Sequence, residues 1–372
     1  MKIAFISSLA SSLLTFRRQL IIDLTHSGHE VLAFAPDYDE VSFKNVLDLG
    51  AKPVPFRMTR TGMNPISDVR ALLQLISLLK IHRPDAVLSY FIKPVIYGSI
   101  AAGIASIPIR LAMMEGMGFV FTYEARPTAL RSILRFFSKN LLRLALRSVD
   151  KLILLNHDDY NEFLEARLVE PNKAVILGGI GVDLNKWVYE TPKLNPIQFI
   201  FVGRLLIDKG VREFVSAASV LKLEYPNSVF KIIGARDDNP SAVPLEEIEH
   251  WTDSGIIEWP GHVPAQDELH NSSVFVLPSY REGVPCSTQE AMATGLPIIT
   301  TDVPGCRETV IDGYNGLIVP PRNVDALTKA MQFFILNPDQ IVPMGLKSRE
   351  MAAQRFDVHV QNAKIISWLG AD

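Results

Sequence analysis

The chain alternates between short apolar runs and longer segments in which apolar residues recur with helical spacing. In the first half the apolar runs lie at 3–6, 31–34, 86–88, 109–112 and 152–155, with a further short strand starting at Val54. The helical segments between them lie at 14–27, 37–49, 65–82, 94–105 and 127–148. Continuous apolar strands between helices are typical of a parallel sheet covered on both faces. The pattern therefore predicts a doubly wound α/β domain.

The alternation is interrupted between Asp183 and Pro196 and begins again at Gln198. The second series has predicted strands at 198–203, 230–233, 256–259, 276–277 and 298–300. Its predicted helices are 210–223, 244–253, 266–270, 286–294, 324–336, 338–355 and 358–369. We predict an N-terminal domain over 1–190, a second domain over 191–355, and a C-terminal helix in 356–372 that packs back on the first. Because open α/β sheets bind ligands beyond the carboxyl ends of their strands, we expect two Rossmann-like domains facing across a cleft.

Composition and charge exclude some classes of protein. The chain has 372 residues, of which 48% are hydrophobic and 21% charged, and its formal net charge is −3. These values indicate globular domains and give no reason to expect a nucleic-acid partner. The longest uncharged run, 94–109, is too short to span a bilayer, so we predict no transmembrane helix. The two cysteines, Cys286 and Cys306, are predicted to be reduced thiols of a cytoplasmic protein.

The segment from Val276 to Gly305 concentrates polar residues that could bind a ligand. A short strand leads into a loop that carries Glu282, and the predicted helix that follows contains Glu290. The start of that helix favours an anion, because its unsatisfied N–H groups and the helix dipole point outward. Two carboxylates beside an anion site suggest a ligand with hydroxyl groups as well as phosphate. We therefore interpret the segment as a nucleotide-sugar site.

Two cations lie at the start of the second domain. Arg204 follows its first strand and Lys209 precedes the next helix. An arginine can bind phosphate through a bidentate fork and a lysine as a point charge, so the pair can converge on a diphosphate. A departing diphosphate needs positive charge, which links the two cations to the two glutamates. The alternative is that both are solvated surface residues.

Three spaced motifs in the second half form one set. They are Gly-Arg-x4-Lys-Gly at 203–210, Pro-Ser-x2-Glu-Gly at 278–283, and a Glu-x7-Glu pair at 282 and 290. The set resembles family 4 of the retaining glycosyltransferases, which have the GT-B fold. Shorter motifs at 64–65, 115–118, 181–186 and 236–241 are similar to those of the bacterial subgroup that builds capsule, O-antigen and lipid-linked N-glycans. The resemblance implies transfer of a hexose or N-acetylhexosamine (GalNAc first, then Gal or GlcNAc) from a UDP-sugar to a polyprenyl-diphosphate-linked saccharide, with retention.

The resemblance also assigns roles around the glutamate pair. Glu290 would hydrogen-bond the ribose hydroxyls of the nucleotide, and Glu282 would contact the donor sugar. Backbone amides of the loop and helix start would reach the sugar or the phosphates, at Gly283, Val284 and Cys286.

Further roles concern the diphosphate, the base and the reacting sugar. Arg204 and Lys209 would hold the diphosphate as the glycosidic bond breaks, and the loop that contains Val263 would hold the base. Glu115 takes the place of a polar residue that approaches the sugar in relatives; the alternative is a helix cap or an ordinary ion pair. We therefore predict catalytic roles for Glu282, Arg204, Lys209 and Glu115.

Neither a cofactor nor a metal is expected. The family transfers sugar without a metal, and the UDP-sugar is a co-substrate. The chain contains a single Asp-x-Asp motif, at Asp37–Asp39, which follows a strand of the first domain. A metal pair that served a donor in the second domain would not lie there, so we predict a solvated loop.

The first domain is expected to bind the acceptor. Serines 7, 8, 11 and 12 form a polar loop after the first strand, where many relatives have glycines. The candidate acceptor-binding residues, each of which could instead be an ordinary surface residue, are Ser11, Arg60, Asn64 and Lys93.

One predicted helix of the first domain carries a basic residue every four positions. Four-residue steps advance about 400°, so these cations stay near one face of the helix. A solvated basic face is one interpretation, and docking on anionic lipids is the other. The second predicts a peripheral protein at the inner face of the cytoplasmic membrane, held by Arg131, Arg135, Lys139, Arg143 and Arg147.

Two other functions remain open. One is an epimerase such as a UDP-N-acetylglucosamine 2-epimerase, which would need no acceptor. The other is a non-catalytic protein that binds a nucleotide sugar, although intact Glu282, Glu290, Arg204 and Lys209 argue against a decayed site.

Overall fold

The computed structural model describes residues 1–59, 64–116, 129–236 and 241–371, and it does not describe the side chains of 129–135. The chain divides into two compact units, Met1–Ile180 with Val358–Asp372, and Gly181–Asp357. The first division therefore falls ten residues before the predicted boundary at 190. Residues from Gly181 onward belong to the second unit because they bond within it. The Val182 N–H donates to the Phe356 carbonyl at 2.7 Å and the Gly181 N–H to the Gln289 side chain at 3.1 Å.

The first unit is built on a parallel sheet that has seven strands in the described residues. Their order is β3-β2-β1-β4-β5-β6-β7. The strand order reverses between β1 and β4, so the loops that follow these two strands leave the sheet in opposite directions. The strands are β1 Lys2–Ile6, β2 Glu30–Ala35, β3 Lys52–Pro55, β4 Ala86–Tyr90, β5 Ile109–Met114, β6 Lys151–Leu154 and β7 Ala174–Ile176.

Helices cover this sheet and are held to it by buried apolar side chains. One cluster contains Leu142, Leu154 and Phe163, and another contains Phe34 and Leu75. Burial of such side chains is the main favourable term in folding. The helices are α1 Ala10–Thr15, α2 Arg18–His26, α3 Glu40–Asp48, α4 Pro65–His82, α5 Ile92–Ile104, α6 Ala129–Arg147 and α7 His157–Glu165.

The second unit contains a parallel sheet with five strands in the described residues. Their order is β12-β11-β10-β8-β9, so the switch point lies between β8 and β10. Phe199 of β8 stacks on Phe230 of β9 with ring centroids 5.5 Å apart. The strands are β8 Gln198–Val202, β9 Val229–Ile233, β10 Val274–Leu277, β11 Ile298–Thr301 and β12 Gly316–Val319.

The remaining helices follow the predicted positions closely. Gly295, with φ +93°, ends α11 in the left-handed conformation that glycine adopts without strain. The last helix belongs to the first unit, where Asn362 donates to Asp23 of α2 at 2.8 Å. The helices are α8 Val211–Glu224, α9 Leu245–Asp253, α10 Ala265–His270, α11 Cys286–Thr294, α12 Val324–Leu336, α13 Ile341–Arg355 and α14 Val358–Trp368.

Two predictions of secondary structure were wrong, and three elements were missed. The helix predicted over 14–27 is two helices, because the chain turns at Phe16–Arg17 and the Arg17 side chain enters the interior. The strand predicted over 256–259 forms only a single bridge, between Glu258 and Lys231. Helix α7 and the short strands β7 and β12 were not predicted.

Candidate active site

The switch point of the second sheet brings the predicted cations and carboxylates together. The loop after β8 carries Arg204, which is exposed, and continues through a 3₁₀ turn, Ile207–Lys209. The loop after β10 carries Glu282. Because neighbouring parallel strands end at the same edge, both loops lie at the carboxyl edge of the sheet, where open α/β folds bind ligands.

Lys209 and Glu282 form an ion pair in this crevice. The Lys209 Nζ lies 2.5 Å from Glu282 Oε1, and the Ser279 hydroxyl donates to the same oxygen at 2.7 Å. The two side chains keep 20% and 10% of their surface exposed. The pair is therefore reachable from solvent, and a charged ligand can exchange with either partner.

Two glycines let the backbone approach this pair closely. A Cβ on Gly210 would lie 2.1 Å from the Pro278 carbonyl oxygen, and one on Gly305 would lie 2.3 Å from that of Gly283. Both glycines have positive φ, +76° and +78°. The Glu282 N–H also donates to the Pro304 carbonyl at 3.1 Å. These contacts fix the loop that holds Glu282.

Helix α11 begins directly after this loop. Its start places Cys286 in the first turn, half-buried, next to the buried residues Gly283 and Val284. Glu290 lies one turn further along and is half-buried; burial raises its pKa from 4.5 to about 7, although Lys186 acts in the opposite direction. A carboxyl group whose pKa lies near neutral pH can accept hydrogen bonds from hydroxyl groups of a ligand once it is ionised.

The loop predicted to hold the base also lies at the carboxyl edge. The Gly234 N–H, just after β9, donates to the Gly261 carbonyl at 3.0 Å. Val263 is half-buried two residues later. The structure thus places Val263 at the side of the crevice that β9 borders.

Residues that the sequence did not single out hold α11 in place. Gln289 accepts from the Gly181 N–H and donates to the Val284 carbonyl at 3.1 Å. Arg349 donates from one nitrogen to the carbonyls of Trp187 and Ala293, each at 2.7 Å. Only the Gly-Val-Asp-Leu-Asn-Lys motif at 181–186 pointed to this segment in the sequence.

In the first unit Glu115 lies at the carboxyl end of β5 and forms an ion pair with Arg17. Its side chain is 11% exposed and that of Arg17 is 1% exposed. Glu115 therefore has a fixed partner that the sequence did not reveal. The ion-pair alternative is correct for its geometry, and its catalytic role stays a prediction.

The candidate acceptor residues have different surroundings. Ser11 is exposed on α1, whereas Asn64 caps α4 by accepting from the Ser67 N–H at 3.2 Å. Lys93 is buried and donates to Asp68 at 2.9 Å. Arg60 lies outside the described residues. For Asn64 and Lys93 the structure thus shows a structural contact, and acceptor binding stays a prediction for all four.

The serine loop after β1 is mostly internal. Ser7, Ser8 and Ser12 are buried, and the Ser12 hydroxyl lies 2.7 Å from that of Ser7 and 3.0 Å from that of Tyr90. These side chains hold the loop to the sheet and to β4.

The basic residues of the predicted docking helix, α6, have different surroundings, and membrane docking stays a prediction. Arg143 donates to the carbonyls of Ala166 and Arg167, so it caps the end of α7. Lys139 is half-buried and Arg147 exposed, and the side chains of Arg131 and Arg135 lie outside those described. Large apolar side chains also lie on the outward face, with exposures of 65%, 60% and 54% for Phe136, Phe137 and Leu144.

Two features are absent from the described part of the chain. It contains no group of three His, Cys, Asp or Glu side chains arranged to hold a metal ion. Within the same residues no helix has the length and hydrophobicity needed to cross a membrane.

Comparison with known proteins now gives the family. The protein-family model described as "Glycosyl transferases group 1" matches residues 186–354. The chain is 30% identical to the N,N'-diacetylbacillosaminyl-diphospho-undecaprenol alpha-1,3-N-acetylgalactosaminyltransferase of Campylobacter jejuni, over 97% of this chain and 96% of that protein. This chain belongs to the group 1 glycosyltransferases. It is also 29% identical to the UDP-Gal:alpha-D-GlcNAc-diphosphoundecaprenol alpha-1,3-galactosyltransferase of Escherichia coli, over 72% of this chain and 70% of that one.

Solved structures confirm the fold of this glycosyltransferase. Anabaena HepE in complex with UDP-glucose matches 100% of both chains with a TM-score of 0.78 and 17% identity. At that identity the likeness concerns the fold alone. The predicted GT-B fold, with two parallel-sheet α/β domains, is confirmed, and neither the epimerase nor the non-catalytic alternative is favoured by these relatives.

Proposed function

We propose that this glycosyltransferase moves a hexose or N-acetylhexosamine from a UDP-sugar to a polyprenyl-diphosphate-linked saccharide, with retention. The Campylobacter relative is named for an undecaprenyl-diphosphate-linked sugar and N-acetylgalactosaminyl transfer, and the Escherichia relative for UDP-Gal and a diphosphoundecaprenol-linked sugar. We rank GalNAc first among donors, then Gal and GlcNAc.

The observation that carries the proposal is the Lys209–Glu282 pair at the carboxyl edge of the second sheet. On donor binding the lysine exchanges its carboxylate for diphosphate oxygens, with Arg204 beside it. Glu282 is then released to accept from a sugar hydroxyl, and Glu290 accepts from the ribose. Each ligand group thus meets the protein charge or acceptor that suits it.

The reaction breaks one bond and forms another at the anomeric carbon. The bond to the diphosphate oxygen breaks, and the acceptor hydroxyl oxygen forms the new bond on the same face of the sugar. The acceptor proton passes to the departing diphosphate, so UDP is the second product. Lys209 and Arg204 lower the barrier by stabilising the charge that develops on the leaving group.

The proposed reaction needs no metal, because two side-chain cations take the diphosphate charge. We expect transfer to continue in excess EDTA. Loss of activity in EDTA, with recovery on addition of Mg²⁺ or Mn²⁺, would contradict this part of the proposal.

The membrane surface is the proposed site of action, with α6 as the docking element. Its outward face combines Phe136, Phe137 and Leu144 with the exposed cation Arg147, which suits insertion among anionic headgroups. Phe136→Ser/Phe137→Ser should reduce sedimentation with vesicles that contain phosphatidylglycerol. Leu223→Ser removes an exposed leucine of the other unit and is the matched control. Equal binding of both variants would contradict docking through α6.

A donor and acceptor screen tests the reaction itself. The purified chain is incubated with UDP-GalNAc, UDP-Gal or UDP-GlcNAc, with and without a polyprenyl-diphosphate-linked saccharide. We expect a lipid-linked product one sugar longer, with the donor's anomeric configuration by NMR, and only when acceptor is present. A changed sugar nucleotide without acceptor would indicate an epimerase, and binding without any product would indicate a non-catalytic protein.

A further inference from the structure

The switch point of the first sheet contains a buried charge pair that the donor site does not use. Arg17 precedes α2 and Glu115 follows β5, and their side chains are 1% and 11% exposed. We propose that Arg17 is a positioning residue: it holds the Glu115 carboxylate in the one orientation in which that group can contact the reacting sugar. This inference rests on the proposed function, because it assumes the catalytic role of Glu115.

Arg17 is fixed by contacts on several sides. One terminal nitrogen pairs with Glu115 and lies 2.8 Å from the Met113 sulfur, and the other donates to the Phe16 carbonyl at 3.0 Å. The guanidinium carbon lies 4.8 Å from the centre of the Tyr90 ring. A planar guanidinium held on a ring face and by its nitrogens has little freedom, so it can orient a carboxylate in a way that a lysine could not.

The surface under Arg17 is itself rigid. The Tyr90 hydroxyl lies 3.0 Å from Ser12 Oγ, which in turn lies 2.7 Å from Ser7 Oγ. Burial raises the pKa of Tyr90, so its ring stays neutral. Since Ser7 follows β1 and Tyr90 ends β4, the chain of hydroxyls joins the two strands that border the switch point.

Stability alone gives a weak reason for this arrangement. Burying two charges costs several kcal/mol per ion, and replacing both with apolar or neutral groups of similar size is often neutral for folding. Phe91 follows Tyr90, the residue on which Arg17 stacks, and is a non-glycine residue with φ +68° and ψ +155°. Strained backbone of this kind is found mainly at ligand and catalytic sites. The location of the Arg17–Glu115 pair at the carboxyl edge of the sheet agrees with a functional role.

Single and double substitutions separate positioning from folding. Arg17→Met alone leaves a buried carboxylate without its counter-ion, so its Tm should fall sharply. Arg17→Met/Glu115→Gln removes both charges, and its Tm should return to within a few degrees of the wild-type value. Because the double variant lacks the Glu115 carboxylate, its kcat should still be lower by about a hundredfold, with KM for the UDP-sugar and Kd for UDP unchanged. If Arg17 positions Glu115, Arg17→Met alone, assayed below its Tm, should lose kcat by a similar factor although it keeps the carboxylate.

Arg17→Lys adds a graded measurement. It keeps the charge but loses the fork and the stacking on Tyr90, so its kcat should lie between those of Arg17→Met and the wild type. Arg110→Met/Asp150→Asn is the matched control, because this exposed pair lies at the opposite end of β5. That control should keep full activity.

The outcomes are distinct for the two proposals. A double variant that recovers both Tm and kcat, or a folded Arg17→Met variant with wild-type kcat, would show that the pair serves folding, and would overturn the inference. A loss of kcat accompanied by an equal loss of UDP affinity would also overturn it. If the wild-type chain transfers no sugar to any acceptor in the screen, the proposed function fails, and the inference fails with it.

Discussion

The carboxyl edges of the two sheets carry the same kind of ion pair in different surroundings. At the second edge Lys209 and Glu282 are 20% and 10% exposed, and at the first edge Arg17 and Glu115 are 1% and 11% exposed. The lysine is a mobile point charge, whereas the arginine is held by a ring, a sulfur and a carbonyl. One cation can therefore exchange its partner for a ligand, and the other cannot.

The difference indicates that the two ion pairs have different roles. The lysine of the second pair keeps contact with solvent, so the charges of that pair are available to a diphosphate and a sugar hydroxyl. A buried pair is costly to break and keeps one geometry. Substitutions of the second pair should then change mainly chemistry, while those of the first pair should change folding as well.

The largest effect is expected from Lys209→Ala. Its charge matters most as the diphosphate leaves, so kcat should fall by about two to three orders of magnitude, with a smaller change in UDP affinity. Steady-state transfer and calorimetric UDP binding measure the two quantities. Lys222→Ala is the control, because Lys222 bonds a carbonyl near the far end of α8. Normal turnover in Lys209→Ala would show that the Lys209–Glu282 pair takes no part in the mechanism.

Gly305→Ala tests whether the loop around Glu282 must lie where it does. The new Cβ would meet the carbonyl oxygens of Gly283 and Glu282 at 2.3 and 2.4 Å. Gly28→Ala is the matched control, since Gly28 has φ +80° and nothing within 4 Å of its Cβ position. Both should lose about 1–2 kcal/mol from the left-handed conformation, but Gly305→Ala alone should also weaken UDP-sugar binding by about tenfold or more. Equal binding in both variants would show that the loop adapts.

The helices with clear caps could be predicted from the sequence to the residue. Asn64-Pro65 begins α4, Gly295 ends α11, and the Asn323 side chain caps α12 by accepting from the Ala326 N–H at 2.9 Å. These boundaries are local, because a cap needs only its own turn of helix. The motif spacing likewise located the Lys209–Glu282 region, since both residues lie in loops at strand ends.

The buried ion pair at the edge of the first sheet could not be predicted in this way. Arg17 and Arg18 are adjacent, and only the three-dimensional position of Glu115 decides which of them enters the interior. The same applies to Lys93, whose partner Asp68 is on another helix. The apolar outward face of α6 was also missed, because its phenylalanines fit equally well against a sheet until neighbouring helices are placed.

Glu290, at the second edge, should make both stability and UDP affinity depend on pH. Its pKa is raised from 4.5 to about 7 in the folded chain by burial, so the wild type loses stability as pH rises through this interval and Glu290→Gln does not. The Tm of Glu290→Gln relative to wild type should therefore increase between pH 4.5 and 7. Its UDP affinity should be about tenfold weaker at pH 8 and independent of pH, whereas that of the wild type should rise through pH 7. Parallel pH curves for the two proteins would contradict the ribose role.

The smallest effects are expected from one buried serine at each edge. Ser279→Ala removes the hydroxyl that donates to Glu282 at 2.7 Å, so kcat should fall by about tenfold with little change in Tm. Ser12→Ala breaks the contacts with Ser7 and Tyr90, and should lower Tm by a few degrees while UDP affinity stays unchanged. If Ser12→Ala weakened UDP binding about tenfold, the hydroxyl network of Ser7, Ser12 and Tyr90 would be part of donor binding. The two edges would then not differ in the way that their ion pairs suggest.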